Sequence, residues 1–157
     1  MVGWRLRLAA GVASATLALL PLSTWAIDNP DAPDLAAAFE VRAKHYEARV
    51  AAAAGGGPEL SVALAEYAKF LDQELNAAYA GAHARLGAAG KADLRAAQRR
   101  WLAWRDAEGA FIDGQWTQST AGSSYLLTRA LARAAPVRER TLSLLRYLRE
   151  LPPAADK

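Results

Sequence analysis

The sequence predicts an all-α protein: a small antiparallel bundle of four to five helices built on a central helical hairpin. Three observations carry this. Apolar residues recur at steps of three and four through long segments. No segment alternates with the two-residue period of a strand. Short Gly- or Pro-rich breaks separate one periodic segment from the next. That pattern describes helices packed along one face and joined by short connections.

The chain begins with a segment that reads as a targeting signal. Arg5 and Arg7 form a positive start, residues 8–20 are apolar, and Thr24-Trp25-Ala26 puts small residues at the two positions a signal peptidase reads. The apolar run is shorter than the ~20 residues a spanning helix needs. The expectation is a secretory signal peptide over residues 1–26, cleaved after Ala26. Residues 27–157 then form a single exported domain with no transmembrane segment, periplasmic or released. The whole chain of 157 residues suits one domain.

Export reshapes the charge argument. The whole chain has 19 Lys+Arg against 16 Asp+Glu; removing Arg5 and Arg7 leaves 17 against 16, a mature balance of +1. The basic appearance of the full chain therefore does not point to nucleic acid. The absence of Cys excludes disulfides, thiol catalysis and thiolate metal sites.

Residues 34–54 form the first helix, with Leu35, Phe39, Tyr46 and Val50 in step and Asp31 or Asp34 as its cap. Gly55-Gly56-Gly57-Pro58 breaks the pattern, and Pro is tolerated in a first turn. Residues 58–86 follow with the strongest periodicity of the chain: Leu60, Leu64, Tyr67, Leu71, Leu75, Ala78, Ala82 and Leu86. After Gly87-Ala88-Ala89-Gly90, residues 91–112 carry a stripe of Leu94, Ala97, Trp101, Trp104, Glu108 and Phe111, with both Trp expected in the core. Residues 113–124 read as a polar loop. Helix resumes over 124–134, and Pro136 disfavours helix at the residue before it. Val137, Thr141, Leu144, Leu148 and Leu151 mark a last helix, stopped by Pro152-Pro153. Its arginines, Arg138, Arg140, Arg146 and Arg149, read as a solvated face diluted by Glu139 and Glu150.

Folding the second and third helices back about residues 87–90 brings complementary side chains into register. Asp72 falls opposite Arg105, Tyr79 opposite Gln98, Leu75 opposite Leu102 and Lys69 opposite Glu108. Asp72, Asn76, Tyr79, Gln98 and Arg105 thus form an expected structural polar cluster. The Asp72–Arg105 pair sets the register, because a one-turn slip would strand both charges.

No catalytic constellation assembles. His45 and His83 lie on different helices without metal-ligand spacing. There is no G-x-S-x-G or S-x-x-K motif, and no Gly-rich phosphate loop follows a strand. The chain is read as a non-enzyme with no cofactor and no metal. One aromatic, Trp116, stands outside every helical stripe, in a loop rich in Gly and Ser. Trp116, with Gln115, Gln118 and Ser123, is the candidate contact for a protein partner.

The segments FLDQELNAAY, AQRRWLAWRDAE and RERTLSLLRYL carry a resemblance. The D-x-x-L-N-x-x-Y pattern is Asp72, Leu75, Asn76 and Tyr79. The A-Q-R-x-W-x-x-x-R-D pattern is Ala97, Gln98, Arg99, Trp101, Arg105 and Asp106, and Arg140-Thr141 follow. Together, in this order, they resemble the lysozyme inhibitor LprI family, small exported or lipid-anchored bacterial helical domains. The resemblance spans about residues 60–148. It implies Cys where this chain has Ala63, Gly109 and about Ala132, so this is a cysteine-free variant. It also implies a partner that can be a lysozyme, inhibited by occlusion of its cleft. The alternative is an envelope scaffold or assembly module that binds another protein or peptidoglycan.

Overall fold

The computed structural model describes residues 33–151. The signal-peptide expectation lies outside them. The described chain is helical almost throughout, with no strand: α1 Leu35–Ala52, α2 Gly57–Ala84, α3 Ala88–Gln115, α4 Gln118–Ala121, a 3₁₀ turn Gly122–Ser124, and α5 Tyr125–Glu150.

Local chemistry sets the helix starts. Asp34 Oδ1 accepts the Ala37 N–H at 2.9 Å and caps α1. Between α1 and α2 the chain turns through Gly56 and Gly57 at φ 100° and 82°, backbone that side-chain-bearing residues rarely adopt. Pro58 then sits in the first turn of α2, where its missing N–H costs nothing.

The hairpin of α2 and α3 is not the centre of the bundle. The most intimate packing is between α2 and α5. α2 buries Leu60, Tyr67, Phe70, Leu71, Leu75, Ala78 and Ala82, and α5 buries Thr141, Leu144, Leu145 and Leu148. A Cβ at Gly81 would stand 3.0 Å from Leu148 Cδ1, so Gly81 is what lets the two helices close. Beyond it Arg85 donates to the Leu148 carbonyl. The physical reason is composition. Only Gly109 and Ile112 of α3 are buried, because its inner face carries Gln98, Arg105 and Glu108, which do not belong in a dry core.

α1 closes the other side. Tyr46 and Phe39 stack on Phe70 with centroids 4.4 and 5.8 Å apart. Arg42 clasps Glu74 through two bonds of 2.7 Å. Arg138 is not part of a solvated face: it pairs with Glu40 and reaches Glu47 at 3.5 Å, tying α5 to α1.

Pro136 does not interrupt the last helix, which runs unbroken from Tyr125 to Glu150. An interior Pro costs about 3 kcal/mol, whereas burying one Leu returns about 1.5–3 kcal/mol. With Leu144, Leu145 and Leu148 all buried on one side of Pro136, packing outweighs the defect.

Candidate functional site

α3 has two faces that do different things. Its inner face, with α2 and α5, encloses a groove of about 360 Å³. Leu64, Leu71, Ile112 and Val137 supply apolar walls, and Asp72, Arg105, Asp106, Glu108 and Arg133 bring charge to it. Its outer face carries Trp104 and Phe111, which are 50% and 54% exposed. Trp104 was expected in the core, and Phe111 on the same stripe. They sit seven apart, on one side of the helix, about a quarter turn or more away from Arg105 and Ile112.

Of the register read from the hairpin, Asp72 and Arg105 share a groove, but the expected polar bonds do not form. Arg105 donates to Asp106 Oδ1 at 2.8 and 3.0 Å and lies 5.4 Å over the Trp101 ring. Asp72 accepts from Asn76 Nδ2 at 3.2 Å, one turn along its own helix. Arg105 has a carboxylate on its own helix and need not reach across the groove to find one.

Gln98 likewise turns away from Tyr79. It accepts from Arg140 Nε at 3.0 Å, which ties α3 to α5. Tyr79 is half-buried and leans on His83, centroids 5.8 Å apart. Lys69 lines a hollow on the α1 side with His45 and Arg49, so it does not meet Glu108. Of the expected polar cluster, Asp72 and Asn76 are bonded to one another, and Gln98, Tyr79 and Arg105 each find partners elsewhere.

The segment after α3 is built rather than loose. α3 continues through Asp113 to Gln115, and Trp116 is its half-buried C-cap. Thr117 and Thr120 form a reciprocal capping box around α4: the Thr117 hydroxyl accepts from Thr120 N at 3.3 Å, and Thr120 Oγ1 accepts from Thr117 N at 2.8 Å. The Thr120 hydroxyl also donates to the Gln115 carbonyl at 2.6 Å. Arg129 of α5 clamps the turn from below, donating to the carbonyls of Asp113 at 2.9 Å and Trp116 at 2.8 and 3.1 Å. The T-x-x-T spacing was the sequence sign of this cap. Trp116 stands edge-on to Phe111, centroids 6.2 Å apart at 88°. Gln115, Gln118 and Ser123 are exposed.

Tyr67 connects the groove to the α1 network. Its ring borders the groove and its hydroxyl donates to Glu47 Oε1 at 3.1 Å. Burial, then the negative charge of Glu47 and the bond to it, push the phenol up to about 12. It therefore serves as a neutral donor. Among the described residues no group of three or more His, Asp or Glu is placed to hold a metal ion. No helix there is long and apolar enough to cross a membrane.

A helical bundle with a built turn, an outward aromatic face and a charged groove defines a protein of the all-α class. The model of the family described as Lysozyme inhibitor LprI matches residues 48–144, more than half of the chain, and the chain belongs to that family. The matched span holds the motif residues from Asp72 to Thr141. No curated protein and no solved structure matches.

Proposed function

We propose that this chain is an exported, non-enzymatic binding protein that inhibits a lysozyme by occluding its cleft. Family membership supplies the partner class. The observation that carries the mode of binding is the aromatic face formed by Trp104, Phe111 and Trp116 at one end of α3. Aromatic side chains dominate the energetics of protein interfaces, and single exposed ones are ordinary while a cluster of them is not. Gln115, Gln118 and Ser123 are exposed and offer hydrogen-bonding groups of the kind that rim a contact whose centre is apolar.

Rigidity supports the same reading. Thr117, Thr120 and Arg129 hold the turn at the end of α3 before any partner arrives. A pre-ordered surface loses less entropy on binding than a loop that must be ordered in the complex. Occlusion needs no chemistry from this chain, only shape and a dry contact.

The test is a turbidity assay of lysozyme-driven cell-wall lysis, run with the purified protein at micromolar concentration against lysozymes of different types. Slowed lysis supports the reading. No slowing of any type sinks it, and a pull-down from envelope extract then tests the scaffold alternative.

A further inference from the structure

We propose that the groove between α2, α3 and α5 is a receptor for one cationic side chain, a Lys or Arg presented by the protein partner. The inference rests on the partner reading for the source of that side chain, and on the groove itself for its chemistry.

Size comes first. Pockets for small molecules run from about 300 to 1,000 Å³. At about 360 Å³ the groove suits one long side chain rather than a helix or a folded segment. Its walls come next. Leu64, Leu71, Ile112 and Val137 match an aliphatic stem, which Lys and Arg lay along apolar surface while the charged head stays at a polar edge.

Charge decides the sign. Both cations at the groove are already engaged: Arg105 with Asp106, and Arg133 with Asp113 at 2.5 Å. Two carboxylates are not. Asp72, on α2, holds only the neutral amide of Asn76. Glu108, on α3, has no hydrogen bond or ion pair among the described residues, its expected partner Lys69 lying on the α1 side of α2. A cation entering the groove would find carboxylates on two of its walls. An anion would be repelled by both, and each guanidinium it could approach already has a carboxylate beside it.

Position supplies the link to a partner. Glu108 follows Trp104 by one turn of α3, so it stands between the outward aromatic face and the groove. A partner seated on Trp104 and Phe111 is within reach of it. The mature chain has almost no net charge to steer a basic partner, and this local pair of carboxylates supplies the complementarity that the total does not.

The experiment is an NMR titration of the purified protein with n-butylammonium, which has the stem and charge of a Lys side chain. Pentanoate and 1-butanol serve as anionic and neutral controls. The expected result is a saturable change confined to amides around Leu71, Gly109 and Val137, at least about fivefold weaker in the D72N/E108Q variant and absent with pentanoate. Thermal melting of that variant, and of Asp72→Asn alone, checks that it is folded. Equal response to pentanoate, or unweakened binding by the variant, overturns the proposal.

The second arm measures lysozyme inhibition. A tenfold or greater loss in D72N/E108Q supports a partner side chain in the groove. Full inhibition by a variant that no longer binds butylammonium overturns the assignment to the partner. If the wild-type protein inhibits no lysozyme, it is the function proposed above that fails, and the amine titration alone decides the groove.

Discussion

Gly109 of α3 lies beneath the guanidinium of Arg133 on α5: a Cβ added at position 109 would stand 3.1 Å from Arg133 Nη2. Gly109 is one of only two buried positions on α3. What presses on Gly109 is the end of a long, half-exposed side chain rather than backbone. Arg133 can yield a few tenths of an ångström without losing Asp113. Gly in a helix interior costs about 1 kcal/mol relative to Ala.

Gly109→Ala is therefore expected to stabilise the protein, by up to about 1 kcal/mol. Urea unfolding measures it. Gly109→Leu should do the opposite, since the longer side chain would force Arg133 out of its pair. A destabilised Ala variant would mean that Arg133 is held more rigidly than its exposure indicates.

Arg129 is the strongest single support of the turn after α3, since it satisfies two main-chain carbonyls at once. Arg129→Ala leaves both without their donor and should cost about 1–3 kcal/mol. Arg129→Lys should recover little, because a point charge cannot fork onto two carbonyls as a guanidinium does. Faster amide exchange from Trp116 to Ala121 in the Ala variant is the local readout, beside a lower melting temperature.

Asp72 and Arg105 should behave as independent residues. Each is bonded within its own helix, and Asp106, the partner of Arg105, is exposed. Arg105→Ala is expected to cost about 1 kcal/mol or less, as for a surface pair, whereas Leu71→Ala in the core should cost about 2–5 kcal/mol. The Asp72→Ala/Arg105→Ala double mutant should be additive within about 0.5 kcal/mol. A larger coupling energy would mean that the two charges pair across the groove.

Tyr67 gives the fold a pH dependence at its alkaline edge. Its folded pKa is raised to about 12 from the ordinary value of 10. The stability this represents is fully present below pH 10, where the phenol is neutral in both states. It is lost as pH rises from 10 through 12, because the unfolded phenol releases its proton first and the folded one must give up its bond to Glu47. Tyr67→Phe should remove this component and flatten the loss of stability above pH 10. An unchanged alkaline slope in the Phe variant would assign the dependence to another group.

The bundle was largely legible in the sequence, and α2 most of all. Its apolar residues keep one stripe over about six turns, and Leu60, Tyr67, Leu71, Leu75, Ala78 and Ala82 are all buried. α3 was harder to read because its large apolar residues do not share a face. Trp101 points inward while Trp104 and Phe111 point out, so a stripe drawn through all three mixes core with surface. Pro136 misled for a different reason: a local preference of about 3 kcal/mol was set against burial that only the tertiary fold reveals.

The polar pairings were the least legible part. Asp72 and Arg105 border one groove, but sequence register says nothing about the width of the gap between them. Where a closer partner exists, as Asp106 does for Arg105, the shorter reach wins. Arg138 and Arg140 were hidden for the converse reason. Their partners Glu40, Glu47 and Gln98 lie on helices far away in sequence, and only the packing of α5 brings them near.

The central claim is that the aromatic face of α3 is where this family member grips a lysozyme. The most direct measurement is the inhibition constant of the wild-type protein beside that of the W104A/F111A variant, with melting temperatures in parallel. Half-exposed side chains contribute little to the fold, so the variant should melt close to the wild type. A buried interface anchor is worth about 2 kcal/mol or more, so inhibition should weaken by at least roughly thirtyfold. A variant that stays folded and inhibits as well as the wild type would contradict the claim.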